Sequence, residues 1–120
     1  MSHNLTIIQY NCGNSNYKVT RPFFDAAICE KQQVLVIQEP YFNKRTKSTY
    51  CPLGYHLLMR AADSTKICFM VSQNLRLEDW QFEDVGAYAA ILRIRTDSRW
   101  MAILNTYISP QMAIQEEPWT

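Results

Sequence analysis

At 120 residues and 14.1 kDa the chain has room for a single domain. Its content, 48% hydrophobic and 19% charged, is that of a globular protein and excludes the disordered class. Twelve basic against eleven acidic residues leave a net +1, so no whole-molecule field drives the chain onto nucleic acid or anionic lipid. Any such binding has to be local. The glycines Gly13, Gly54 and Gly86 lie too far apart for a phosphate-cradling loop. The cysteines Cys12, Cys29, Cys51 and Cys68 show no zinc or redox spacing; three of them lie in or beside apolar runs, where a small buried thiol is expected, and a reducing compartment suits the set. His3 and His56 stand alone. No run approaches the ~20 apolar residues of a membrane span, and Leu5-Thr6-Ile7-Ile8 is too short for a signal sequence. The expectation is an intracellular protein, of cytoplasm or nucleus, with no membrane partner.

In chain order, Leu5 to Asn11 alternates as a strand and stops in the turn formers Asn11-Cys12-Gly13-Asn14. Thr20-Arg21-Pro22 reads as a helix start, with Thr20 as N-cap and the helix ending near Lys31. Val34-Leu35-Val36-Ile37 is apolar without alternation, the pattern of a strand covered on both faces. After Gln38-Glu39-Pro40-Tyr41 a polar loop runs to Pro52, then Tyr55 to Arg60 and Lys66 to Ser72 form a hairpin. The stretch Gln73 to Val85 has no clear period. Ala87 to Arg95 and Trp100 to Ile108 are two more strands, and a short helix is expected around Met112 to Glu117. One early helix followed by many strands defines an α+β, layered sandwich class. The two-sided runs Val34–Ile37, Ile67–Val71 and Met101–Leu104 need more cover than one helix can provide.

Polar groups stand where these apolar strands end: Asn11, Glu39, and the pair Asn105 and Tyr107. Strand ends converge at one edge of a layered sheet, and ligands bind there. A carboxylate at the end of a buried strand, ahead of a proline that fixes the chain direction, suits a hard divalent cation such as Mg²⁺. A nearby amide and phenol could orient a phosphate without adding charge. The loop 41–50 interleaves Lys44, Arg45 and Lys47 with Tyr41, Phe42 and Tyr50. Its cations can neutralise phosphates and its aromatic faces can stack on bases.

The order of these motifs resembles the endonuclease/exonuclease/phosphatase superfamily, the DNase I-like fold. The resemblance rests on Thr6-Ile7-Ile8-Gln9-Tyr10-Asn11, on Val34-Leu35-Val36-Ile37-Gln38-Glu39-Pro40, on Ile67-Cys68-Phe69-Met70-Val71, and on Asn105-Thr106-Tyr107-Ile108-Ser109-Pro110. The Gln-Glu-Pro spelling and the Trp80 segment are most similar to the endonuclease domain of fungal LINE-type retrotransposons. The resemblance implies Mg²⁺-dependent cleavage of DNA. Glu39 would hold the metal, Asn11 would belong to the polar network at the scissile phosphate, Tyr107 would contact that phosphate, and Asn105 matches the motif. The loop residues Tyr41, Lys44, Arg45 and Lys47 are the candidates for DNA contact.

The sequence also departs from the family. No Asp-x-Asn and no Ser-Asp-His occurs anywhere in it, and Gly13 stands where some relatives carry an acid. The implied object is therefore a truncated or degenerate domain: residues 1–120 would be an N-terminal half, with about one sheet and one or two helices. Without the missing groups the chain is expected to be inactive alone. Its inner sheet face would be left open, to be covered by a second copy or by a missing C-terminal half. The alternative is a non-catalytic interaction protein that uses that face and the loop 41–50.

Overall fold

The computed structural model describes residues 5–60 and 66–108. Its elements are β1 (Ile7–Asn11), α1 (Tyr17–Cys29), β2 (Val34–Gln38), β3 (Tyr55–Leu58), β4 (Ile67–Ser72), β5 (Trp80–Gly86), β6 (Ala89–Thr96) and β7 (Arg99–Thr106), with a 3-10 turn, Leu77–Asp79, before β5. The expected helix at Met112–Glu117 and the hairpin connection 61–65 lie outside the described residues.

The two continuous apolar runs form the centre of a four-stranded sheet in the order β1-β2-β4-β3. β1 pairs parallel to β2 and the other pairs are antiparallel. Successive side chains point to opposite faces of a strand. Leu35, Ile37, Cys68 and Met70 therefore meet Phe24 and Ala27 of α1 on one face. Val34, Val36, Ile67, Phe69 and Val71 meet Ala90, Leu92 and Ile94 on the other. Full burial of such side chains contributes roughly 1.5–3 kcal/mol each. These central strands hold the two layers together.

The second layer is an antiparallel meander, β5-β6-β7, whose inner row is completed by Trp80, Phe82 and Ile103. The molecule is a layered α+β sandwich of one helix and two sheets. This corrects the expectation of a single sheet with its inner face open, because β5–β7 cover β2 and β4. β5 escaped the sequence reading because Leu75 and Leu77, just upstream, blur the alternation of Trp80 and Phe82 with Gln81 and Glu83. The run Met101–Leu104 is likewise not covered on both faces. β7 is the edge strand of its sheet, and apart from Ile103 and Asn105 its residues are exposed.

What remains open is narrower. β1 extends beside the second layer, and Ile7, Gln9 and Asn11, which share the inner face with Val34, Val36 and Gln38, are exposed.

The helix begins four residues earlier than expected. Asn16 is the N-cap, its Oδ1 accepting from the Val19 N–H at 3.4 Å. Thr20 is buried inside the helix, its hydroxyl donating to the Asn16 carbonyl at 3.3 Å. Pro22 lies inside as well. The buried face is Thr20, Phe24 and Ala27. The four cysteines are free thiols, and burial pushes those of Cys12 and Cys51 up to about 11. Cys68, fully enclosed, is pushed higher still by the same cause.

Candidate functional site

β1 and β2 run parallel and end together, with Asn11 beside Gln38 in register. β7 packs across β2 and β4 from the second sheet and ends over the same rim. Glu39 is the first residue past β2, and its backbone sits at φ +48. That left-handed conformation costs a residue with a side chain ~1–2 kcal/mol. It is held from both sides: the Glu39 N–H donates to the Lys66 carbonyl at 2.8 Å, and its own carbonyl accepts from the Asn14 N–H at 2.8 Å. Buried Pro40 follows.

The Tyr107 hydroxyl donates to Glu39 Oε1 at 3.0 Å, joining the ends of the two sheets. Tyr107 is itself set by its N–H, which donates to the Tyr88 carbonyl at 2.9 Å, and its ring stacks on that of Tyr88 at 6.3 Å. Lys66 Nζ lies 5.9 Å from the centre of the Tyr107 ring. The bond to Glu39 favours the protonated phenol and holds it above the ordinary tyrosine range. Glu39 and Tyr107 are both half-buried.

Asn105 is fully buried, and its role follows from that. Its Nδ2 donates to the carbonyls of Ile37, at 3.1 Å, and Cys68, at 2.9 Å. Its Oδ1 accepts from Gln38 Nε2 at 2.6 Å. Gln38 Oε1 in turn accepts from Gln9 Nε2. A side chain without exposed surface cannot touch a substrate, so Asn105 is a structural tie under the site. Gln9 and Gln38 were missed by the sequence reading, although Gln38 adjoins Glu39 and Gln9 shares a strand face with Asn11.

Asn11 lies at the rim, exposed, with its Oδ1 accepting from the Gly13 N–H at 2.8 Å in a local turn. The structure sets it beside Gln38 but shows no hydrogen bond from it to Glu39 or Tyr107 among the described residues.

The loop 41–50 is shaped by Asn43. Its Oδ1 accepts from the N–H groups of Arg45, at 2.9 Å, and Thr46, at 3.2 Å, and its carbonyl accepts from the Lys47 N–H at 2.7 Å. Tyr41, Phe42, Asn43, Lys44 and Arg45 line an open groove of about 520 Å³. Tyr41, Lys44, Arg45 and Lys47 are exposed, and Tyr41 lines a second shallow groove with Asn16 and Tyr17 at the start of α1. The one side-chain hydrogen bond given for Glu39 among the described residues goes to Tyr107 and not to this loop.

No cluster of three metal-ligating side chains occurs among the described residues. The donor set at the rim is one carboxylate with phenol and amide neighbours. Such a set does not fit a closed metal cage. It fits a cation that keeps most of its water and is completed by a substrate phosphate, as Mg²⁺ is. A roomier cavity, about 720 Å³, opens at the opposite end of the sandwich, lined by Gln33, Arg76, Asp79, Arg95 and Trp100 among others. There Asp79 accepts from Arg76 at 3.0 Å and from Arg95 at 2.8 Å, so its charges are matched internally.

Comparison with solved structures finds this fold elsewhere. The chain is similar to the endonuclease domain of TRAS1, a telomere-specific non-LTR retrotransposon, with a TM-score of 0.61 and 18% identity. The likeness covers 91% of this chain and 47% of that one, so this chain spans about half the length of that structure. Neither a family model nor a curated protein matches the sequence. No helix among the described residues is long and apolar enough to cross a membrane.

Proposed function

We propose that the chain is the N-terminal half of a Mg²⁺-dependent DNA endonuclease domain of retroelement origin, carrying the metal- and phosphate-contacting side of the site. The observation that supports this best is the 3.0 Å bond between Glu39 and Tyr107, which puts a carboxylate and a phenol from separate sheets on one rim. Mg²⁺ bound there would offset the charge that develops on a phosphodiester attacked by water. Glu39 is the residue to hold it. Tyr107 donates its hydroxyl to a phosphate oxygen once the carboxylate is engaged, and Asn11 offers its amide at the same rim. Lys44, Arg45 and Lys47 meet the DNA backbone, and Tyr41 offers a face to a base.

Among the described residues no base to activate water stands beside Glu39 and Tyr107. Among the described residues no histidine or aspartate hydrogen-bonds to Glu39 or Tyr107, and the sequence contains neither Asp-x-Asn nor Ser-Asp-His. Loss of cooperating groups costs orders of magnitude in rate. The chain alone therefore binds and does not cut. The alternative, a binding protein that works through the loop alone, is favoured by the exposed Tyr41, Lys44 and Arg45 around their groove.

The test pairs a supercoiled-plasmid nicking assay with fluorescence anisotropy of a labelled duplex, each with and without Mg²⁺. Expected are no nicking and duplex binding that weakens on removal of Mg²⁺, in Glu39→Gln, and with added salt. Binding indifferent to Mg²⁺ and to Glu39, but lost in Lys44→Ala/Arg45→Ala, would overturn this reading in favour of the loop alone. Nicking that needs both Mg²⁺ and Glu39 would overturn the statement that the chain cannot cut.

A further inference from the structure

Gln38 takes no part in the chemistry proposed above, yet it links a buried amide to the rim. The polarity of this chain of amides is fixed from the inside. The carbonyls of Ile37 and Cys68 can only accept, so the nitrogen of Asn105 faces them. That leaves Asn105 Oδ1 for the amide of Gln38, and Gln38 Oε1 for the amide of Gln9. One orientation at the buried end sets all three side chains.

The location matters as much as the polarity. Ile37 and Cys68 are direct partners across β2 and β4, so Asn105 pins the end of β7 to the centre of the first sheet. Among the described residues, every hydrogen bond between β2 and β7 runs through Asn105. Gln38 immediately precedes Glu39, and Asn105 lies two residues before Tyr107. The strand ends that carry the carboxylate and the phenol are thus tied together one step behind the groups themselves.

We infer that Gln38 and Asn105 are positioning residues, whose amide pair sets the approach of Tyr107 to Glu39 without touching a substrate. The role they serve rests on the function proposed above. A buried amide left unsatisfied is costly, which favours the single arrangement in which every member is paired. Replacing Gln38 by an apolar side chain of similar length removes the amide pair while the two backbone bonds of Asn105 stay in place, and it leaves Glu39 and Tyr107 chemically intact.

The test uses the full chain in two measurements. The first is the nuclear Overhauser contact between the Tyr107 ring and the Glu39 side chain, recorded without metal. The second is Tb³⁺ luminescence sensitised through Tyr107, with Tyr107→Phe giving the background. Gln38→Met is expected to lose the contact and to weaken Tb³⁺ binding by about tenfold or more, the usual cost of removing a group that orients a metal ligand. Gln9→Met, at the exposed end, is expected to weaken both in part, and it carries the test if Gln38→Met does not fold. Val36→Ala, a cavity in the same strand, is expected to lower stability and to leave both signals unchanged. Retention of the contact in Gln38→Met, or in Gln9→Met where that variant carries the test, would overturn the inference, as would its loss in Val36→Ala. If Tb³⁺ does not bind the unaltered chain while Gln38→Met still loses the contact, the metal site fails and the positioning role stands.

Discussion

Glu39 holds a conformation that its side chain disfavours, at φ +48. Asparagine tolerates the left-handed region better than glutamate because its short amide can bond locally. Glu39→Asn is therefore expected to raise stability by up to about 1 kcal/mol while abolishing cation binding. Urea unfolding together with Tb³⁺ titration checks both halves, and a loss of stability would show that the Tyr107 bond outweighs the strain. Asn11, Glu39, Asn105 and Tyr107 were all visible in the sequence because polar residues ending apolar runs interrupt an obvious pattern. Their roles were less so. Asn105 and Tyr107 are two apart and share a strand face, but only the docking of β7 across Ile37 and Cys68 makes the first a buried tie and the second a rim donor. Gln9 and Gln38 looked like ordinary strand polars because their polarity is set by that same docking. A cross-sheet network has no local signal.

Among the elements, the β6–β7 hairpin turns through Asp97 and Ser98, both at positive φ, 51 and 66. Two positive central residues are the mark of a type I′ turn, which matches the twist of the flanking strands and prefers Asn-Gly. Ser98→Gly is expected to raise stability by roughly 0.5–1 kcal/mol, the relief of left-handed strain less the flexibility glycine adds. A shift in the urea midpoint at unchanged slope checks it, and a lower midpoint would mean that Ser98 is held by something other than the turn. The sequence marked this turn through the run Thr96-Asp97-Ser98-Arg99, and it marked β2 and β4 through unbroken β-branched runs. It misplaced the start of α1 because Thr20 and Pro22 imitate a cap and a first turn. The true cap, Asn16, lies in a loop where several asparagines compete. Cap chemistry decides among such candidates only when the tertiary fold says which residue has its backbone extended.

For the whole molecule, the open surface follows from which strands lack a neighbour. β7 is an eight-residue edge with no proline and one charge, Arg99 at its start. Proteins usually blunt such edges with proline, lysine or a bulge. Trp100, Ala102 and Leu104 share its outer face, because they pair with Arg95, Arg93 and Ile91 rather than with the inner row. Leu104 is 61% exposed and Trp100 46%. On the first sheet, Ile7 is 40% exposed where β1 extends beside the second layer. Exposed apolar surface next to unpaired backbone favours association. Because the second sheet covers β2 and β4, the driving surface is these two strands and not a whole core face, which favours reversible association over wholesale insolubility. Light scattering on a sizing column is expected to show a mass that rises with concentration. Leu104→Lys, which places a charge on the edge, is expected to return the chain toward monomer while changing folding stability by no more than about 0.5 kcal/mol, as surface substitutions usually do. A monomer at every concentration would mean that β7 is shielded. Association that survives Leu104→Lys would place the contact on the exposed inner face of β1.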